Sequence, residues 1–171
     1  MSEPSSRFQK AIDACPQLKL QDGLQALSSA DRQRIHPQNP RSVTGSVNID
    51  GDLRASFPED NRWDYAVGYR GADDREKAYF IEVHPAETSE IRCVVQKARA
   101  LSDWARQYAP ELWAMPRQLH WVASGRCHIR LNDAYRRPLA LAGLGSPKEM
   151  LDLEWAVFSF GTTTKPLPAV Q

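Results

Sequence analysis

The chain is short of features that commonly announce a function. Its 171 residues include three cysteines, Cys15, Cys93 and Cys127, with no Cys-x-x-Cys spacing. That excludes both a disulfide framework and a zinc knuckle, and leaves free, mostly buried thiols as the expected state. It has no excess of either charge, with 22 basic against 21 acidic residues and a formal net charge of +1. An electrostatic footprint spread over the whole surface, as in many nucleic-acid or membrane-surface binders, is therefore missing, and an anionic partner would have to meet a local patch. No apolar run is long enough to span a bilayer. The opening Met-Ser-Glu-Pro-Ser-Ser lacks the basic and apolar regions of a signal peptide, so a cytoplasmic protein is expected. No internal repeat and no small-molecule cofactor motif is visible.

What remains is an ordinary globular composition, 42% hydrophobic and 25% charged, long enough for one core and too short for two. The expected organisation is a single domain over residues 9–160, with flexible termini at 1–8 and 161–171. Residues 18–27 carry leucines at partly helical spacing and are read as a first helix, with a short second one reaching Ile35. The two prolines in His36-Pro-Gln-Asn-Pro40 predict a loop. Strands are predicted over 42–49, 62–70 and 77–85, the last two joined by a polar connector short enough for a hairpin. From Thr88 to Tyr108 apolar residues keep helical spacing for about five turns. Thr88 or Ser89 is the expected cap and Pro110 the stop. Gln118–Ala123 reads as a strand returning through Ser124-Gly125 into a partner over 127–131. A short helix over 134–144, broken by Pro138, and a strand over 151–160 complete the reading.

The stretch richest in chemistry is Lys77-Ala-Tyr-Phe-Ile-Glu-Val-His84. Residues i and i+2 of a strand share a face, so Glu82 and His84 should point the same way out of an otherwise apolar segment. A carboxylate placed there needs a cation, a metal or a hydrogen-bond network. Asp64, at the start of the preceding apolar run, completes an Asp … Glu-x-His constellation. The same three residues also fit an arrangement without chemistry, in which Asp64 pairs with Arg62 or Arg70 and Glu82 and His84 form a polar pair at the sheet edge. His120 and His128, on the two strands around Ser124-Gly125, would add imidazoles for a zinc ion if they met His84.

The order helix, strand, strand, strand, helix, strand, with Asp64 and Glu82-Val83-His84 at these places, resembles the PD-(D/E)XK nuclease-like superfamily over roughly residues 17–123. In that family an Asp begins the second core strand and an (Asp/Glu)-x-Lys tripeptide lies in the third. The resemblance implies an α/β fold with a mixed central sheet and flanking helices, a restriction-endonuclease-like α-β-β-β-α-β core. It implies Mg²⁺ or Mn²⁺ held by Asp64 and Glu82, with His84 standing where the family has lysine, as a further ligand or a base. On that reading the chain hydrolyses phosphodiester bonds of DNA or RNA, and Arg92 and Lys97 on the long helix are candidate phosphate contacts. The alternative is a catalytically silent nuclease-like module that binds a protein or nucleic acid as an accessory subunit, which the missing strand lysine and near-neutral charge favour.

Overall fold

The computed structural model describes residues 5–130 and 132–153. A capping box starts the first helix, α1 (Arg7–Asp13): Ser6 accepts from Gln9 N, and the Gln9 side chain accepts from Ser6 N. Next come α2 (Ser29–Arg32), β1 (Ile35–Pro37), β2 (Val43–Asn48), α3 (Ile49–Leu53), β3 (Tyr65–Arg70) and β4 (Glu76–His84). A 3₁₀ turn at Thr88–Glu90 leads into α4 (Ile91–Tyr108), followed by α5 (Pro110–Trp113), β5 (Arg117–Ala123), α6 (Asp133–Leu141) and β6 (Leu151–Leu153). They form one mixed α/β domain. Its central sheet runs β2-β3-β4-β5, antiparallel except for the parallel β4–β5 pair that α4 connects. Read through that sheet, α1, β2, β3, β4, α4 and β5 follow the expected α-β-β-β-α-β order, with α1 in the place of the first helix expected over 18–27.

Two apolar clusters follow from the alternation of side chains along these strands. On one face Ala66, Ala78, Phe80 and Trp121 pack with Phe8 and Ile12 of α1 and with Ile91, Val94, Val95, Ala98 and Leu101 of α4. On the other, Tyr65, Val67, Tyr79, Ile81 and Val122 meet Leu27, Ile35, Leu151 and Leu153. The spacing of the buried residues of α4 puts one stripe on the sheet, each large aliphatic residue contributing about 1.5–3 kcal/mol.

Several elements depart from the sequence expectations. The fold begins before residue 9, because Phe8 is fully buried and Arg7 N donates to Glu76 Oε2 at 2.8 Å. Residues 18–27 form turns rather than a helix; Gln21 instead exchanges backbone hydrogen bonds with Ser46 at the edge of β2. Ile35–Pro37, expected as the end of a short helix and the start of a loop, forms a parallel two-stranded sheet with β6, which lays Ile35 and Leu151 on the second core face. The predicted hairpin after β5 does not form, since the outer edge of β5 is taken by residues 144–148: Ala123 N donates to Lys148 O and Lys148 N to Trp121 O. Residues 127–130 run without strand structure, with His128 N on Ala86 O. α6 continues through Pro138 rather than breaking there. The final strand is described only as far as Leu153; the rest of its predicted span, residues 1–4 of the expected N-terminal segment 1–8, and the expected segment 161–171 lie outside the described residues.

Candidate active site at the junction of β3, β4 and α4

Antiparallel pairing of Tyr65 with Ile81 brings Asp64, the residue before β3, beside Glu82 and Val83. Two hydrogen bonds lock it there. Val83 N donates to Asp64 Oδ2 at 2.8 Å, and Asp64 N donates to Glu82 Oε2 at 3.2 Å. Glu82 shares a face of β4 with Phe80 and His84, and α4 crosses that face. Alternate residues of a strand lie roughly 6.7 Å apart and residues one helical turn apart roughly 6 Å. The pair Glu82 and His84 is therefore matched by the pair Lys97 and Cys93.

Lys97 Nζ contacts Glu82 Oε1 directly and lies 3.9 Å from Asp64 Oδ1. The Lys97 side chain is 16% exposed, Asp64 24% and Glu82 0%. Burial, and then the nearby Asp64 carboxylate, push Glu82 up to about 8 against the opposing pull of Lys97. Burial also raises Asp64, again opposed by Lys97. Two acids and one amine thus lie together, Glu82 fully buried and Asp64 and Lys97 partly exposed. An acid in such a place is either a functional group or one member of a structural ion pair.

The expected coplacement of Asp64, Glu82 and His84 is observed. His84 enters the group through its Nδ1, 3.6 Å from Glu82 Oε1, while its Nε2 lies 2.6 Å from Glu90 Oε2. The candidate phosphate contacts separate: Arg92 is exposed on α4, whereas Lys97 turns inward onto the carboxylates. Neither arginine proposed for Asp64 pairs with it, because Arg62 binds Asp50 at 2.9 Å and Arg70 lies 3.6 Å from Asp74. The three imidazoles do not converge. His120 pairs in register with Ile81, opposite in parity to Glu82 and His84. It therefore faces the other side of the sheet, stacked on Tyr79 with ring centroids 5.7 Å apart.

The contribution of Lys97 to this group was hidden in the sequence by its 15-residue separation from Glu82. A visible signal existed: Lys97 is one turn after Cys93 on the stripe that adjoins the apolar face. Glu90, expected to favour the helix N-terminus, occupies the N-cap position but makes no capping hydrogen bond; its carboxylate meets His84 instead. The large cleft of about 1120 Å³ lies elsewhere, at the edge of β5, where Arg99, Arg106, Arg117 and Lys148 are among its lining residues. Its wall contains none of Asp64, Glu82, His84 or Lys97.

No family model matches the chain, and neither a curated protein nor a solved structure matches it. Among the described residues no helix is long and apolar enough to cross a membrane.

Proposed function

We propose that the chain is a divalent-metal-dependent phosphodiesterase of the PD-(D/E)XK type, acting on DNA or RNA in the cytoplasm, a reducing compartment that suits its free cysteines. One observation carries this reading. Lys97, brought by the helix that connects β4 to β5, reaches Glu82 and Asp64, so an ammonium stands beside the two carboxylates although the strand position for lysine holds His84. The donor set is oxygen-rich and hard, which fits Mg²⁺ or Mn²⁺ held by Asp64 and Glu82. Such an ion, when bound, supplies a Lewis acid and lowers the pKa of its water. Asp64, anchored by Val83 N, would orient the ligand set, and Lys97 would stabilise negative charge developing on the phosphate.

The test is cleavage of single- and double-stranded DNA and RNA by the full chain with Mn²⁺ or Mg²⁺. Wild type should cleave at least one of these substrates, and Asp64→Asn and Lys97→Met should each lose at least about 100-fold, the scale of losing one preorganised charge-stabilising group. Full activity in either variant overturns the assignment.

A second reading is the silent binding module, favoured by the burial of Glu82. It is 0% exposed and both its oxygens are engaged, by Lys97 and by Asp64 N. On this reading the chain shows no Mn²⁺-dependent cleavage, while Asp64→Asn lowers the melting temperature and leaves partner binding measurable. Mn²⁺-dependent cleavage that disappears in Asp64→Asn rejects it.

A further inference from the structure

Beside the two carboxylates lies a second set of donors with a different chemistry. The irregular segment 85–87 and the 3₁₀ turn at Thr88–Glu90 lead from the end of β4 into the first turn of α4, and the donors of Glu90 and Cys93 come back beside His84. His84, Glu90 and Cys93 then offer one nitrogen, one oxygen and one sulfur, all within 4.8 Å of one another. Glu90 stands at the N-cap of α4, yet its carboxylate caps nothing and lies 2.6 Å from His84 Nε2. The other imidazole nitrogen faces the buried Glu82 carboxylate at 3.6 Å. A metal-binding histidine commonly turns its second nitrogen toward a carboxylate in this way, which sets its tautomer and orientation.

We infer that His84 Nε2, Glu90 and Cys93 Sγ bind one zinc-type transition ion at a site separate from Asp64 and Glu82. The mixed N, O, S donor set selects a borderline ion such as Zn²⁺ and disfavours Mg²⁺, which requires oxygen ligands. In a tetrahedral shell with bonds of about 2.0–2.3 Å, such ligand atoms lie roughly 3.3–3.6 Å apart. Binding therefore opens the His84–Glu90 pair by less than about 1 Å and draws Cys93 in. The Cys93 thiol proton and any proton on His84 Nε2 leave to solvent as the ion enters. His84 is 22% and Glu90 33% exposed, so the ion has a route in and a water can fill the fourth position. The inference does not rest on the nuclease reading, because its donors are different.

The experiment is a Co²⁺ titration of the full chain under a non-thiol reductant, followed by displacement with Zn²⁺. Wild type should take up one ion per chain with a thiolate-to-cobalt charge-transfer band that Zn²⁺ removes. Cys93→Ser should lose the band, Glu90→Gln should weaken Co²⁺ binding by about 10-fold or more, and Asp64→Asn should leave both unchanged. Absence of the band in wild type overturns the inference. So does a band that persists in Cys93→Ser, which would put the ion on Cys15 or Cys127. Glu90→Gln alters only a partly exposed side chain, so it keeps the test decisive if Cys93→Ser does not fold; unchanged affinity there also overturns the site. Cleavage lost in Asp64→Asn with the cobalt band retained would separate this site from the proposed hydrolytic one.

Discussion

Lys97 is the residue on which the proposed chemistry and the local stability both turn. Its removal leaves Glu82 buried with no cation beside it, and breaking one side of a buried pair typically costs about 3–5 kcal/mol. The ability of Glu82 to take up a proton should hold the loss nearer the low end. Lys97→Met should therefore be clearly destabilised in urea. The double variant Lys97→Met/Glu82→Gln should be less destabilised than Lys97→Met alone, because the buried amide, unlike the acid, needs neither a cation nor a proton to stay neutral. An additive double-mutant cycle would show that the two groups are not coupled. His120 supplies a pH prediction at the same scale. Burial, then Lys148 and Lys77, lower it to about 4 from an ordinary value of 6.5. Between those two values the unfolded chain binds the proton and the native one does not. The contribution is thus fully present above pH 6.5 and is lost as pH falls toward 4. About 2–3 kcal/mol should disappear over that window, and His120→Gln should flatten this part of the curve in urea titrations at a series of pH values.

Among the elements, α1 and α4 hold the site indirectly by clamping one face of the sheet. The contact between α1 and β3 is close enough to demand glycine. A Cβ on Gly68 would fall inside the space of the Phe8 ring and the Thr44 hydroxyl. Gly68→Ala should cost about 1–3 kcal/mol through overpacking, and a wild-type denaturation midpoint would show that α1 can move away freely. Glu76 adds a polar tie to the same junction, accepting from Arg7 N and from the Thr44 hydroxyl. The site itself depends on α4 keeping its register over β4. Val94, Ala98 and Leu101 set that register by packing, and Lys97 and Cys93 follow from it.

At the scale of the molecule, the small β1–β6 sheet is not an appendage. Ile35, Leu151 and Leu153 share a buried cluster with Tyr79, Ile81 and Val122 of the central sheet. Removing part of it should therefore weaken the entire fold. Leu153→Ala is expected to cost about 2–5 kcal/mol and to shift the unfolding curves seen by circular dichroism and tryptophan fluorescence together. Separate transitions would indicate that the two sheets unfold independently.

The strands carrying Asp64, Glu82 and His84 and the long helix after them were legible because their signals are local. A short continuous apolar run bounded by turn signals marks a strand buried on both faces, the 3.6-residue stripe from Ile91 to Ala105 marks a helix, and Pro110 marks its end. The shared face of Glu82 and His84 followed from strand geometry alone. By contrast, the segment over 18–27 had leucines at nearly helical spacing, but its edge contact with Ser46 is made far along the chain and favours turns. The hairpin expected after β5 does not form for a similar reason: a turn signal at Ser124-Gly125 says nothing about which segment takes the free edge, and residues 144–148 take it. The pairing of β1 with β6 joins residues more than a hundred positions apart, and no local pattern encodes it. The same distinction governs the site. Sequence by itself determined that a carboxylate and an imidazole would leave one face of a buried strand, because side-chain direction there is a property of the backbone. Which groups answered them, Lys97 for Glu82 and Glu90 for His84, was decided only when α4 packed across β4, because electrostatic partners are chosen by distance in space.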